Sequence, residues 1–274
     1  LRRLRALPKG LIDFSSNDYL GLRQNSWICK KTAQAVLCDG AGSGASRLIS
    51  GNLKIHSQLE KELAQFKKEE AALVFSSGYL ANLGVITSLV DERDVVVLDR
   101  LNHASLVDGA RLSRAKFWVY PHRDVDALRT ILKRGKNFRR RLVITDAYFS
   151  MDGDVAPLDK ILSLCEETDS ILMIDEAHST GVFGETGHGL TEHFGLEGRI
   201  PVVMGTLSKA LASSGGFVAG SQILKDLLVN RARSFIYTTA PVPAASAAAM
   251  ASLEWIKKNP AALKKLWQTI QGFV

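Results

Sequence analysis

Short apolar runs recur along this chain, and most are followed by a stretch with helical periodicity. Ala72-Leu73-Val74-Phe75, Val95-Val96-Val97-Leu98, Phe117-Trp118-Val119-Tyr120, Leu142-Val143-Ile144-Thr145, Ile171-Leu172-Met173-Ile174 and Val202-Val203-Met204 read as strands. Stretches 80–89, 104–112, 125–132 and 158–165 read as helices between them. Strands this apolar leave no face to give to water. They predict an α/β fold with a mostly parallel sheet covered by helices on both sides. Outside the alternation, Leu11-Ile12-Asp13-Phe14 reads as a further short strand. Ser57-Gln58-Leu59-Glu60 reads as a capping box opening a helix, and 244–257 as an alanine-rich helix with Thr238 or Thr239 as a cap before it.

Composition narrows the function classes. The 274 residues are 46% hydrophobic and 23% charged, enough for one large domain or two small ones. No apolar run reaches membrane-spanning length, and no basic-then-apolar leader opens the chain. The chain starts at Leu1 rather than Met, so a trimmed or fragmentary N-terminus is expected. Cys29, Cys38 and Cys165 are few and lack metal spacing, which fits a reducing compartment, the cytoplasm. The net charge of +7 includes the run Arg139-Arg140-Arg141, but no aromatic interleaving accompanies it. It reads as a solvated face or one suited to anionic small molecules, not nucleic acid.

In an open parallel sheet, ligands gather off the carboxyl ends of the strands. Ser77, His103, Ser150, Asp175, His178 and Lys209 all fall there. The strand that stops at Ser76-Ser77-Gly78-Tyr79 and turns into a helix offers free N–H groups and the positive end of a dipole to an anion. Lys209 sits in Gly205-Thr206-Leu207-Ser208-Lys209-Ala210, where small neighbours let a bulky group come close. A lysine amine so placed suits covalent attachment of pyridoxal phosphate. Asp175 could keep a pyridine nitrogen protonated, with His178 near the ring's phenolic oxygen and His103 against its face.

Other readings are weaker. Asp175-Glu176-Ala177-His178 also spells a helicase box, but no G-x-x-x-x-G-K-[ST] loop precedes it. The loop Gly40-Ala41-Gly42-Ser43-Gly44 is not a dinucleotide fingerprint; its glycines fit tight approach to a ligand or a partner chain. No H-E-x-x-H and no cysteine pair argue for zinc, so no metal site is expected.

Together, Phe14-Ser15-Ser16-Asn17-Asp18-Tyr19-Leu20-Gly21, Ser77-Gly78-Tyr79, Asn102-His103-Ala104-Ser105, Phe149-Ser150-Met151-Asp152-Gly153-Asp154, Asp175-Glu176-Ala177-His178 and Thr206-Leu207-Ser208-Lys209 resemble the α-oxoamine synthases. These are fold-type I pyridoxal-phosphate enzymes, and the resemblance runs from about residue 11 to residue 253. It implies decarboxylative condensation of an amino acid with an acyl thioester.

The resemblance implies Lys209 as the Schiff-base lysine and base, Asp175 at the pyridine nitrogen, and His178 and Ser150 on the phenolic side. It implies His103 stacked on the ring and touching substrate, Asn17 at the substrate, Gly78 and Tyr79 presenting backbone, and Thr206 on the phosphate. It implies a homodimer, with Thr238 or Thr239 of the second chain near the phosphate. Gly42 to Arg47, Ser50-Gly51-Asn52 and His178-Ser179-Thr180-Gly181 look most like the branch that joins L-alanine to a pimeloyl thioester; branches using glycine or serine stay open. Two positions depart from the pattern: His188 stands for the usual Arg, and Asp146 for a frequent Glu. The expected layout is an N-terminal segment 1–35, a cofactor-binding large domain 36–253, and 254–274 as the start of a truncated C-terminal domain. A non-catalytic scaffold of the same fold is the alternative, and the presence of Lys209 argues against it.

Overall fold

A computed structural model describes residues 10–273. The first nine residues of the N-terminal segment lie outside the described residues. The strands are β1 (Ala71–Phe75), β2 (Val95–Asp99), β3 (Lys116–Tyr120), β4 (Arg141–Asp146), β5 (Tyr148–Phe149), β6 (Asp154–Val155), β7 (Ile171–Asp175), β8 (Val202–Thr206) and β9 (Gly216–Gly220). The helices are α1 (Ser26–Asp39), α2 (Lys54–Lys67), α3 (Gly78–Leu89), α4 (Ala104–Leu112), α5 (Val125–Arg134), α6 (Leu158–Glu167), α7 (Leu190–His193), α8 (Gln222–Arg231), α9 (Arg233–Ile236), α10 (Pro243–Lys258) and α11 (Pro260–Gln271).

Seven strands form one sheet in the order β1-β9-β8-β7-β4-β2-β3, and β5 and β6 make a separate hairpin. All pairs from β8 to β3 are parallel; β9 is antiparallel to both β1 and β8. Alternate side chains of each strand enter opposite layers, as the pleat requires. Val95, Val97, Val143, Leu172 and Ile174 face a layer with Leu128, Leu132, Leu158 and Ile161 of α5 and α6. Val96, Leu98, Leu142, Ile144 and Met173 face the opposite layer with Ala81, Val85, Leu106 and Leu224 of α3, α4 and α8. A third cluster packs α2 and α10 on β1 and β9 through Leu59, Leu63, Val74, Phe217 and Leu253.

The α/β layering matches the expectation, with corrections at several ends. Leu11 to Phe14 is not a strand: Leu11, Ile12 and Phe14 are largely exposed and have no ladder partner. Helix α2 begins three residues before Ser57, and the His56 ring rather than a Ser–Glu box takes the Leu53 N–H, at 3.1 Å. Val242 precedes α10 with no side-chain cap, and Pro243 opens it, because proline needs no N–H partner there. Thr239 instead forms an isolated β-bridge with Ser46. Strand β9 was not anticipated. Residue 253 lies inside α10, and Leu266 and Trp267 of α11 pack on the first core layer.

Candidate active site

The carboxyl ends of β4, β7 and β8 and the start of α3 surround a cavity of about 270 Å³. Lys209, Asp175, His178, His103, Thr206 and Gly78 line it, as does Tyr79. The structure therefore brings together most of the residues singled out from sequence. Ser150 is not among them; it is exposed beside the β5–β6 hairpin. Thr238 and Asn17 also lie off the cavity wall, although Asn17 connects to it through Tyr19.

Each wall has a local cause. Ser77 caps α3, its Oγ accepting the Leu80 N–H at 3.2 Å. The first N–H groups of α3 are left to a ligand, since a helix start has no acceptors of its own for them. Gly78 is crowded from below: a Cβ there would come within 2.9 Å of the Met204 methyl. Gly216 on β9 lies so close that its own Cβ would meet the Gly78 Cα at 2.5 Å. Thr206, at the end of β8, donates its hydroxyl to Gly215 O at 2.9 Å and lies 2.9 Å from the Ser208 hydroxyl.

Asp175 ends β7 in cross-strand register with Asp146 at the end of β4. The Asp175 carboxylate is buried and accepts the Ala177 N–H at 2.9 Å and the Asn82 amide at 2.8 Å. Asp146 Oδ2 accepts the His103 N–H at 2.8 Å. Burial pushes the Asp146 carboxyl well up from its ordinary value, and the Asp175 charge adds to the rise. Lys209 Nζ lies 2.6 Å from His178 Nε2, and His178 Nδ1 lies 2.7 Å from Tyr19 Oη. Burial draws the Lys209 ammonium down from the usual lysine value, against the pull of Asp175 and Asp146. Burial, Lys209 and His103 together push His178 down to about 4, so it is neutral at pH 7.

Four contributors had no role in the sequence reading. Asn82 donates to both Asp175 and the Ser105 hydroxyl, the latter at 2.9 Å. Ser105 in turn holds His103: its N–H reaches His103 Nδ1 at 3.2 Å and its hydroxyl at 2.7 Å. A backbone N–H can only donate, so His103 Nδ1 is an acceptor and Nε2 carries the proton of the neutral ring. Tyr19 and Glu176 complete the set. Asn82 did leave a signal, a lone amide in the apolar helix 80–89. Glu176, next to Asp175, points away from the cavity and pairs with the buried Lys67. Among the described residues there is no cluster of metal-ligating side chains and no helix long and apolar enough to cross a membrane.

Residues 9–274 match the model of the aminotransferase class I and II family. The chain is 44% identical over 265 residues to 8-amino-7-oxononanoate synthase 1 of Bacillus velezensis, covering 97% of this chain and 68% of that one. A serine palmitoyltransferase from S. paucimobilis, solved with PLP and myriocin bound, superposes with a TM-score of 0.89 at 32% identity, over 92% of this chain and 66% of that one. The 8-amino-7-oxononanoate synthase of Francisella tularensis superposes with a TM-score of 0.78 at 30% identity, over 93% and 72%. The chain thus spans about two thirds of the length of two of these relatives. It belongs to the aminotransferase class I and II family and, within it, to the α-oxoamine synthases, acyltransferases that work with pyridoxal phosphate.

Proposed function

We propose that this chain carries the cofactor-binding part of an enzyme that condenses L-alanine with a pimeloyl thioester, on coenzyme A or acyl carrier protein, to give 8-amino-7-oxononanoate for biotin. The observation that carries the reading is that Lys209 and Asp175 line one cavity at the ends of neighbouring strands, with the start of α3 on its rim. The donor set fits pyridoxal phosphate: an amine for its aldehyde, a carboxylate for its ring nitrogen, and hydroxyls and helix N–H groups for its phosphate. Gly78 keeps that rim free of a side chain.

When bound, the cofactor supplies an electron sink for a bond broken at the amino acid's Cα. The residues do the rest. Asp175, fixed by Asn82 and the Ala177 N–H, would accept from the ring nitrogen. Lys209 would hold the cofactor's aldehyde, and its amine would be the base for the α-proton of alanine. Its lowered ionisation makes the neutral amine available nearer to neutrality than the usual value of about 10.4 allows. His103 presents Nε2–H to the cavity, placed to donate to a substrate oxygen. His178, neutral, would lie on the phenolic side. Thr206, its hydroxyl now on Gly215 O, would serve the phosphate once that bond is given up, with backbone from Gly78 and Tyr79. From the resemblance we carry over Ser150 to the phenolic side and Asn17 to the substrate, both off the cavity wall in this chain alone, and Thr238 to the partner chain's phosphate site in a cytoplasmic homodimer. Overall, alanine gives up its α-proton, its α-carbon bonds to the acyl carbon as the thiol departs with a proton, and after carbon dioxide is lost a proton from solvent returns to the α-carbon.

Serine with a longer acyl thioester is the second reading, favoured by the TM-score of 0.89 to serine palmitoyltransferase. The higher identity to an 8-amino-7-oxononanoate synthase, 44% against 32%, favours alanine. The test is a half-reaction that needs no thioester. The cofactor-loaded protein is incubated in deuterium oxide with L-alanine, glycine or L-serine, and loss of the α-proton signal is followed by NMR. Faster exchange of alanine than of glycine or serine is expected, followed by 8-amino-7-oxononanoate on adding pimeloyl-CoA or its carrier-protein form. Preferential exchange of serine would overturn the alanine reading.

A further inference from the structure

Lys209 must lose a proton before its amine can attack an aldehyde, and its side chain is partly buried at the wall of the cavity. Its nearest polar neighbour is the His178 ring, at 2.6 Å. On the far side of that ring Tyr19 Oη stands 2.7 Å from Nδ1, and the same hydroxyl reaches Asn17 Oδ1 at 3.2 Å. Lys209 and His178 are partly buried, Tyr19 is half-buried, and Asn17 is exposed. The contacts therefore run without a gap from the amine to solvent. Each member can both give and take a proton except the last, whose amide oxygen meets water.

We propose that His178 and Tyr19 form a proton exit for Lys209. The proposal rests on the reading of Lys209 as the cofactor lysine. In the resting order the ammonium donates to Nε2, Nδ1–H donates to Tyr19 Oη, and the Tyr19 hydroxyl donates to Asn17. On deprotonation Nζ gives its proton to Nε2, the Nδ1 proton passes to Tyr19, and the proton that Tyr19 held leaves to water at Asn17. Lysine ends as the neutral amine, histidine as its other neutral tautomer, and tyrosine unchanged. One proton reaches solvent.

Two observations support the route. His178 is pushed down to about 4 by burial first, then by Lys209 and His103, so it does not store the proton. Burial and Tyr148 raise Tyr19, so its phenol stays protonated between transfers. The other titratable groups facing this row are Asp175 and Asp146 on Lys209, His103 on His178 and Tyr148 on Tyr19. The Tyr19–His178 contact also gives the N-terminal turn at Asn17 to Tyr19 a chemical link to the lysine.

The test uses the cofactor-free protein labelled with 15N-histidine. As pH rises through the Lys209 ionisation, His178 is expected to stay neutral but switch from the Nδ1–H to the Nε2–H tautomer, and Lys209→Met should abolish the switch. In a second measurement, Tyr19→Phe should slow condensation of Lys209 with pyridoxal phosphate about tenfold and lessen its solvent deuterium isotope effect, a relay being worth less than full general acid–base catalysis. A thermal melt checks that Tyr19→Phe is folded. A His178 tautomer that does not change with pH, or a rate and isotope effect unmoved in folded Tyr19→Phe, would overturn the relay. Failure of pyridoxal phosphate to attach at Lys209, with the tautomer switch intact, would instead overturn the cofactor reading.

Discussion

Asn82 and Asp175 are joined by a 2.8 Å hydrogen bond inside the protein, and both side chains are almost wholly buried. The same Asn82 amide holds the Ser105 hydroxyl, so the Asp175 carboxylate and the His103 ring share one support. Replacing Asn82 with Leu leaves a buried carboxylate and a buried hydroxyl short of a donor. A loss of about 1–3 kcal/mol is expected in urea unfolding. Pyridoxal phosphate affinity should fall with it, read by absorbance titration.

Lys67 and Glu176 form an ion pair with no exposure on either side chain. Glu176 also accepts the Thr191 N–H at 2.8 Å, and Lys67 reaches His188 O. The pair ties the end of α2 and the 188–191 turn to the residue after Asp175. Lys67→Met strands a buried charge and should cost about 3–5 kcal/mol. Adding Glu176→Gln should restore part of that loss, and a double-mutant cycle by denaturant unfolding measures how much.

His122 lies between Asp99 Oδ1 at 2.9 Å and Asp154 Oδ2 at 3.0 Å, tying the β5–β6 hairpin to the sheet end. Burial pulls its ionisation down, but the two carboxylates outweigh burial and raise it above the ordinary histidine value. A histidine raised on folding binds more protons folded than unfolded. Its contribution is therefore complete below about pH 6.5 and fades as pH rises through the raised folded value. Urea midpoints of the wild-type protein should fall over that interval relative to His122→Gln, which has no such step.

Gly216 lies against the backbone of Gly78, where an added Cβ would meet the Gly78 N at 2.6 Å. Backbone cannot swing aside as a side-chain tip can. Gly216→Ala should cost about 1–3 kcal/mol as overpacking and displace the start of α3. Weaker cofactor binding than in wild type, with phosphate-free pyridoxal less affected, is the expected titration result.

The parallel core was legible because β2, β4, β7 and β8 are apolar on both faces, a pattern only a covered sheet tolerates. Strand β9 escaped because Gly-Phe-Val-Ala-Gly is short and glycine-bounded; β1 and β8 supply the ladders that hold it extended. Leu11 to Phe14 misled for the opposite reason, being apolar enough for a strand but having no neighbour to pair with. The cavity residues were legible where they end strands, as Asp175 and Thr206 do. Tyr19 was not, since its importance lies in a contact across 159 residues of sequence, and Asn82 left only the mark of a lone amide in an apolar helix, with nothing local to name its partner 93 residues away. Ser150 was read from its motif, but the hairpin leaves it exposed.

The central claim is that one lysine carries the cofactor. Protein loaded with pyridoxal phosphate is reduced with borohydride, digested, and mapped by mass spectrometry. A pyridoxyl group on Lys209 alone, with the visible absorption band lost in Lys209→Ala, is the predicted result. Label spread over exposed lysines, or a band that survives Lys209→Ala, would contradict it.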